Sequence, residues 1–206
     1  SVDLMPSNVE YKLSLAKSYQ SLGQLSAAEK YFQLAVDQNP ANADSLYQYG
    51  LFMEEKGEVK NAINHYRKAL KIDKNFYEVH EPLGKILEKT GELGGAIAQY
   101  TLALKNDKKN PTLNLTIGRL LLNSKNSSKA IFHFEKALSF TPRDFKAHIK
   151  VAEMLMEKGM IDESLALYET ASSIDPKNHK VYSEMGKAYL EKKDLGAALK
   201  FFKKSV

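Results

Sequence analysis

One pattern recurs along this chain every 34 residues, and it leaves little freedom in how the chain can fold. Leu15-Ala16, Tyr19, Gly23, Ala28, Phe32 and Ala35 are answered one period on by Tyr49-Gly50, Met53, Gly57, Ala62, Tyr66 and Ala69. They are answered again by Leu83-Gly84, Leu87, Gly91, Ala96, Tyr100 and Ala103, and the pattern then returns three more times. A fixed period of this length means one supersecondary unit copied head to tail. Each copy can bury its apolar face only against its neighbours.

The unit reads as helix, tight turn, helix, short turn. Lys12, Leu15, Ala16 and Tyr19 fall at i, i+3, i+4 and i+7, one stripe of an α-helix. Gly23 suits the left-handed conformation that closes a helix. Ala28, Phe32 and Ala35 mark a second stripe, which Asn39-Pro40 stops. Helix axes about 8–10 Å apart need small residues where backbones meet, which Ala16, Ala28 and Ala35 supply. Leu15, Tyr19 and Phe32 fill the spaces between them.

On these residues the unit resembles the tetratricopeptide repeat. The resemblance covers nearly the whole chain: a lead-in over 1–8, with Ser7 or Asn8 as helix N-cap, then one array over 9–206. Its repeats are 9–42, 43–76, 77–110, 111–144, 145–178 and 179–206, the last incomplete. It implies an all-α fold, a right-handed superhelical solenoid of antiparallel helix pairs. Two departures matter. Lys74 and Lys108 stand where the unit otherwise ends on Pro40, Pro142 and Pro176. Pro82 lies inside the first helix of the third repeat, which is therefore expected to start late or bend.

The remaining composition excludes more than it assigns. With no cysteine, disulfides, thiolate metal sites and a cysteine nucleophile are ruled out. The net charge is +5, but the lysines mostly alternate with glutamates along helices, and the only arginines are Arg67, Arg119 and Arg143. That is a solvated helix surface, so no nucleic acid is expected. No apolar run is long enough to span a bilayer, so no membrane insertion is expected. A soluble, cytoplasmic protein is the expectation. The chain opens on Ser1 rather than Met, so removal of an upstream piece is expected. His65, His80, His133, His148 and His179 show no paired metal-ligand spacing and read as packing residues. Neither a catalytic residue, a metal site nor a cofactor is predicted.

The resemblance implies a protein or peptide partner, held by first helices that line a concave groove at positions 2, 5, 9, 12 and 13 of each repeat. Carried onto this sequence, the groove residues are Lys17, Tyr47, Leu51, Lys85, Leu115, Arg119, Leu122, Ile149, Met156 and Lys187. Leu115, Leu122, Ile149 and Met156 would anchor apolar side chains. Lys85, Arg119 and Lys187 would meet acidic groups. Ile149→Asp or Arg119→Glu would then weaken a partner without unfolding the array. Position 6 (Ser14, Gln48, Pro82, Thr116, Lys150 and Glu184) matches neither a clamp for chaperone carboxylates nor an asparagine ladder. The unfinished sixth repeat leaves Leu195, Phe202 and Val206 as an expected end-packing surface for self-association. The reading is a binding scaffold or adaptor rather than an enzyme. Its alternatives are the substrate-recruiting arm of a larger enzyme and a self-assembling structural scaffold.

Overall fold

The computed structural model describes residues 9–206; the lead-in, with the N-cap expected at Ser7 or Asn8, lies outside them. The described residues form twelve α-helices and a 3-10 turn, with no strand. They divide into two compact units, which meet in sequence between Asn106 and Asp107. The first contains α1 (Val9–Ser21), α2 (Leu25–Gln38), α3 (Ala43–Glu55), α4 (Val59–Ile72), α5 (His80–Lys89) and α6 (Leu93–Asn106). The second contains α7 (Pro111–Asn123), α8 (Ser127–Phe140), α9 (Phe145–Met156), α10 (Ile161–Ile174), α11 (His179–Glu191) and α12 (Leu195–Lys204). The fold is all-α and built of antiparallel pairs: α1 with α2, α3 with α4, α5 with α6, and likewise α7 to α12.

Local chemistry sets the helix ends. Between the helices of a pair, Gly23, Gly57, Gly91 and Gly159 adopt φ of +71° to +83°, which glycine reaches without a Cβ penalty. Lys125 and Lys193 hold the same conformation at the same place in repeats four and six. Three first helices, α3, α7 and α9, are capped by the residue before them. Asn42, Asn110 and Asp144 accept hydrogen bonds from the amides of Ser45, Leu113 and Ala147 at 2.8, 2.9 and 3.1 Å. The third repeat has Phe76 at the capping place, which offers no side-chain acceptor. Its chain makes a 3-10 turn over Tyr77–Val79 and enters α5 only at His80. Pro82 then sits in the first turn of α5, where the missing N–H has no helical partner to lose. The late start expected from Pro82 is what the structure shows.

The second helices α4 and α6 end without a proline. Asn39, Asp73, Asp107 and Asp175 each turn a side-chain oxygen onto the amide two residues on, at 3.2, 2.8, 3.3 and 3.3 Å. This Asx turn ends α4 and α6 although Lys74 and Lys108 replace the proline.

Inside each pair, a ring from the second helix lies on a backbone-bare patch of the first. Tyr66 faces Gly50, Tyr100 faces Gly84, Phe134 faces Gly118 and Phe202 faces Gly186. A Cβ at these glycines would stand 2.6–3.0 Å from the ring. Repeats one and five have Ala16 and Ala152 at this position, both fully buried. Two ring hydroxyls reach a carboxylate on the first helix: Tyr66 donates to Glu54 at 2.9 Å and Tyr100 to Glu88 at 3.0 Å. Burial and that hydrogen bond hold the Tyr66 phenol protonated well beyond the usual tyrosine range.

Two half-buried histidines make the fold sensitive to acid. His65 packs on the Tyr49 ring at 4.4 Å, and His133 pairs with Asn114 at 3.0 Å. Burial pushes both pKa values down, helped by Lys68 and Lys136 respectively. The unfolded chain, whose histidines titrate near 6.5, therefore binds protons that the folded chain resists. Their stabilisation is fully present above about pH 6.5 and is lost as pH falls through the lower folded values. Unfolding in urea is expected to become easier from pH 7 to pH 5, and His65→Phe with His133→Gln is expected to flatten that slope. An unchanged slope in the double variant would refute the assignment.

Candidate functional site

The first helices of repeats five and six, α9 and α11, border two neighbouring depressions in the second unit. One, of about 560 Å³, is bordered by Glu153, Met156, Glu157, Ile161, Tyr168, Glu184 and Glu191. The other, of about 570 Å³, is bordered by Phe145, Lys146, Ile149, Lys150, Glu153, Asn178 and Lys180. The face is thus bipolar. Its lysines gather where α9 and α11 begin, and its glutamates where they end.

This distribution runs against the helices' own electrostatics. Acidic side chains stabilise a helix start and basic ones its end. Neither α9 nor α11 has an acidic residue in its first turn or a basic residue in its last. Lys146 and Lys180 instead stand at the starts, while Glu191 ends α11 and Glu157 caps α9. Helix stability does not account for these charges. Two of the glutamates are paired, Glu153 with Lys180 at 3.1 Å and Glu184 with Lys187 at 2.8 Å. Glu157 and Glu191, like Lys146 and Lys150, have no ion-pair partner among the described residues. The field at the acidic end is visible in Tyr168. Burial pushes its phenol up to about 12, with Glu184 and Glu153 adding to the effect and a hydrogen bond from Ser164 opposing it.

A smaller depression in the first unit, about 450 Å³, brings Lys17 and Leu51 together with Gln20, Gln48 and Glu55 between α1 and α3. The other residues expected in a groove divide. Met156 borders the acidic depression. Leu115 and Arg119 are half-buried and border neither depression on α9 and α11. Tyr47 is half-buried, with its ring edge-on to Phe76 at 5.4 Å and tilted on Tyr66 at 6.1 Å, so it packs. Lys85 is exposed and paired with Glu81 at 2.7 Å. Lys187 is exposed but held by Glu184.

Leu122 and Ile149 correct the sequence reading. At 4% and 7% exposure they are core residues, not open anchors. Ile149 belongs to a cluster with Ala152, Leu165, Tyr168, Val181, Tyr182 and Met185. Leu122 stands at the position whose glutamate meets a tyrosine hydroxyl in repeats two and three. Its own ring partner position holds Phe134, which has no hydroxyl, and an apolar side chain is buried there instead. Phe202 is a second correction. It is half-buried with its ring on Gly186, whereas Leu195 is 70% exposed and Val206 fully exposed.

Sequence reasoning missed Lys146, Lys150, Lys180, Glu157, Glu184 and Glu191. The signal was present, since Lys146 and Lys180 share position 2 of their repeats, and Glu157 and Glu191 share position 13. No group of three or more metal-ligating side chains occurs among the described residues. His80 and His148 are buried packing residues, hydrogen-bonded to Gln99 and to the Asp144 carbonyl at 2.7 and 2.9 Å. No helix among the described residues is long and apolar enough to cross a membrane.

Three family models match the chain in both units. YpiA-like, C-terminal tetratricopeptide repeats match 10–73, a tetratricopeptide repeat matches 111–144, and a TPR repeat matches 152–193. No curated protein sequence is matched. Among solved structures, the chain is similar to MamA, at 26% identity and TM-score 0.65 over 79% of this chain and 89% of that one. It shares the fold of YrrB, a TPR protein with an unusual peptide-binding site, at 21% identity and TM-score 0.67 over 84% and 90%. It also shares the fold of a tetratricopeptide repeat protein from Parabacteroides merdae, at 21% identity and TM-score 0.71 over 95% and 78%. The match over 111–144 coincides with the fourth period read from the sequence, and the helix pairs keep that register throughout: the chain is a tetratricopeptide repeat protein.

Proposed function

We propose that this protein is a protein-interaction scaffold whose α9–α11 face holds an extended segment of a partner. The observation that carries the reading is the pair of depressions with opposite charge. Lysines at one end would meet an acidic side chain of the segment, and glutamates at the other a basic one. Phe145 and Met156 offer apolar contact along the way. From Lys146 to Glu157 the helix rises about 16 Å at 1.5 Å per residue. An extended segment covers that span in roughly five residues. The partner motif is therefore an acidic and a basic residue about five positions apart with an apolar residue between them. That YrrB, of the same fold, has a peptide-binding site supports the reading in kind.

Fluorescence anisotropy with three labelled peptides of one apolar framework tests it. The peptides carry Glu and Lys, two Glu, or two Lys at the ends. The Glu/Lys peptide is expected to bind at least threefold tighter than either other. In Glu157→Lys/Glu191→Lys, preference is expected to pass to the two-Glu peptide. The fold itself is expected to gain a few tenths of a kcal/mol per change, because the new charges agree with the helix dipole. Equal affinity for all three peptides would overturn the proposal.

A further inference from the structure

The ring at position 24 of each repeat is buried where another repeat follows it. Phe32, Tyr66, Phe134 and Tyr168 hold this position and are at most 2% exposed. Phe32, for example, stacks on Tyr49 of α3 at 5.9 Å. Phe202 of α12 holds the same position but is only half-buried, and Leu199, three residues earlier, is 56% exposed. The first repeat carries the opposite surface. Tyr11 is exposed and Leu15 half-buried on α1, and Leu22, just past its end, is 70% exposed. The counterparts of Tyr11 and Leu15 in α11, Val181 and Met185, are buried.

We infer that α12 of one copy packs against α1 of a second copy, in the register by which one repeat follows another. The contacts that join successive repeats can be carried by the 34-residue period onto this tail-on-head junction. Lys180 of repeat six meets Glu153 of repeat five at 3.1 Å. The corresponding residues are Glu10 of the incoming copy and Lys187, again opposite in charge. Lys187 holds Glu184 at 2.8 Å and takes Glu10 as well, just as Lys56 holds both Glu29 and Glu58 at 2.7 and 2.6 Å. The Lys56–Glu29 pair becomes Leu22 on Leu199, two exposed leucines, and the Phe32–Tyr49 stack becomes Leu15 on Phe202. The pair of Lys192 with Asp162 becomes Leu22 and Gly196, both uncharged. In none of these is a charge set against an apolar side chain. Burial of Leu15, Leu22, Leu199 and Phe202 supplies the affinity, and the Glu10–Lys187 pair fixes the register. Because the two surfaces differ, the contact is heterologous, and each added copy presents a further α1 or α12 to the next. The junction uses none of the unpaired charges of the α9–α11 face and stands apart from the peptide reading.

Sedimentation velocity of the full chain over a range of concentrations tests the inference. The weight-average mass is expected to rise past that of a dimer as concentration increases. Leu22→Glu and Leu199→Glu change only exposed side chains. Each is expected to weaken self-association at least tenfold while the urea midpoint stays that of the parent. An equimolar mixture of the two is expected to form a dimer and nothing larger, since one variant keeps an intact α12 surface and the other an intact α1 surface. Glu10→Lys is expected to weaken association at least threefold, and Lys187→Glu in the same chain to restore it. A monomer at every concentration would overturn the inference. So would self-association unchanged in Leu22→Glu, the result that pairing of α12 with α12 would give.

Discussion

Ile149→Asp is expected to unfold the helices around it rather than merely weaken a partner. Ile149 is 7% exposed and packs among Ala152, Leu165, Tyr168, Val181, Tyr182 and Met185. An aspartate there loses the apolar burial among these side chains. Loss of a buried isoleucine side chain costs about 2–5 kcal/mol, a large part of the roughly 5–15 kcal/mol that holds a typical domain. Urea unfolding followed by circular dichroism reads the effect. Ile149→Val, which removes one methylene, is expected to cost only about 0.5–1.5 kcal/mol. Were Ile149 an open groove anchor, Ile149→Asp would stay within about 0.5 kcal/mol of the parent, as surface changes do.

The second large effect is expected at the glycines beneath the rings. A Cβ at Gly118 would lie 2.6 Å from the Phe134 ring, which is 2% exposed. Gly118→Val is expected to cost about 3 kcal/mol, the upper part of the usual range for overpacking. The cause is one contact, so it is separable. In a Phe134→Leu background the same substitution is expected to cost less, with a coupling of about 1–3 kcal/mol in a double-mutant cycle. Gly94→Ala is the control. Nothing lies within 4 Å of its added Cβ, and it is expected to be neutral or mildly stabilising. Additive costs for Gly118→Val and Phe134→Leu would show that the glycine is needed for some reason other than the ring.

These two cases mark where the sequence could be read and where it could not. The glycine under the ring was legible, because Gly50, Gly84, Gly118 and Gly186 recur at one place in the period. The late start of α5 was legible from Pro82, since a ring without an N–H acts within its own turn. Ile149 and Leu122 were misplaced for a different reason. Positions 5 and 12 lie on the same helical stripe as the groove, and periodicity alone does not say how far a neighbouring helix covers that stripe. The answer at position 12 depends on a residue on another helix. Glu54 and Glu88 serve the hydroxyls of Tyr66 and Tyr100, while Leu122 is matched to a phenylalanine position.

The repeat unit, its helix pairs, its turns and its family follow from the sequence by itself, because each rests on interactions between residues a few places apart. Caps, breakers and small-to-large alternation act locally and repeat in register. Which side chains remain accessible and the bipolar charge of the α9–α11 face were decided only by tertiary structure. Exposure, field and unfilled volume are sums over every helix packed nearby. A one-residue difference such as Leu122 for Glu88 acquires its meaning only when Phe134 stands where Tyr100 does.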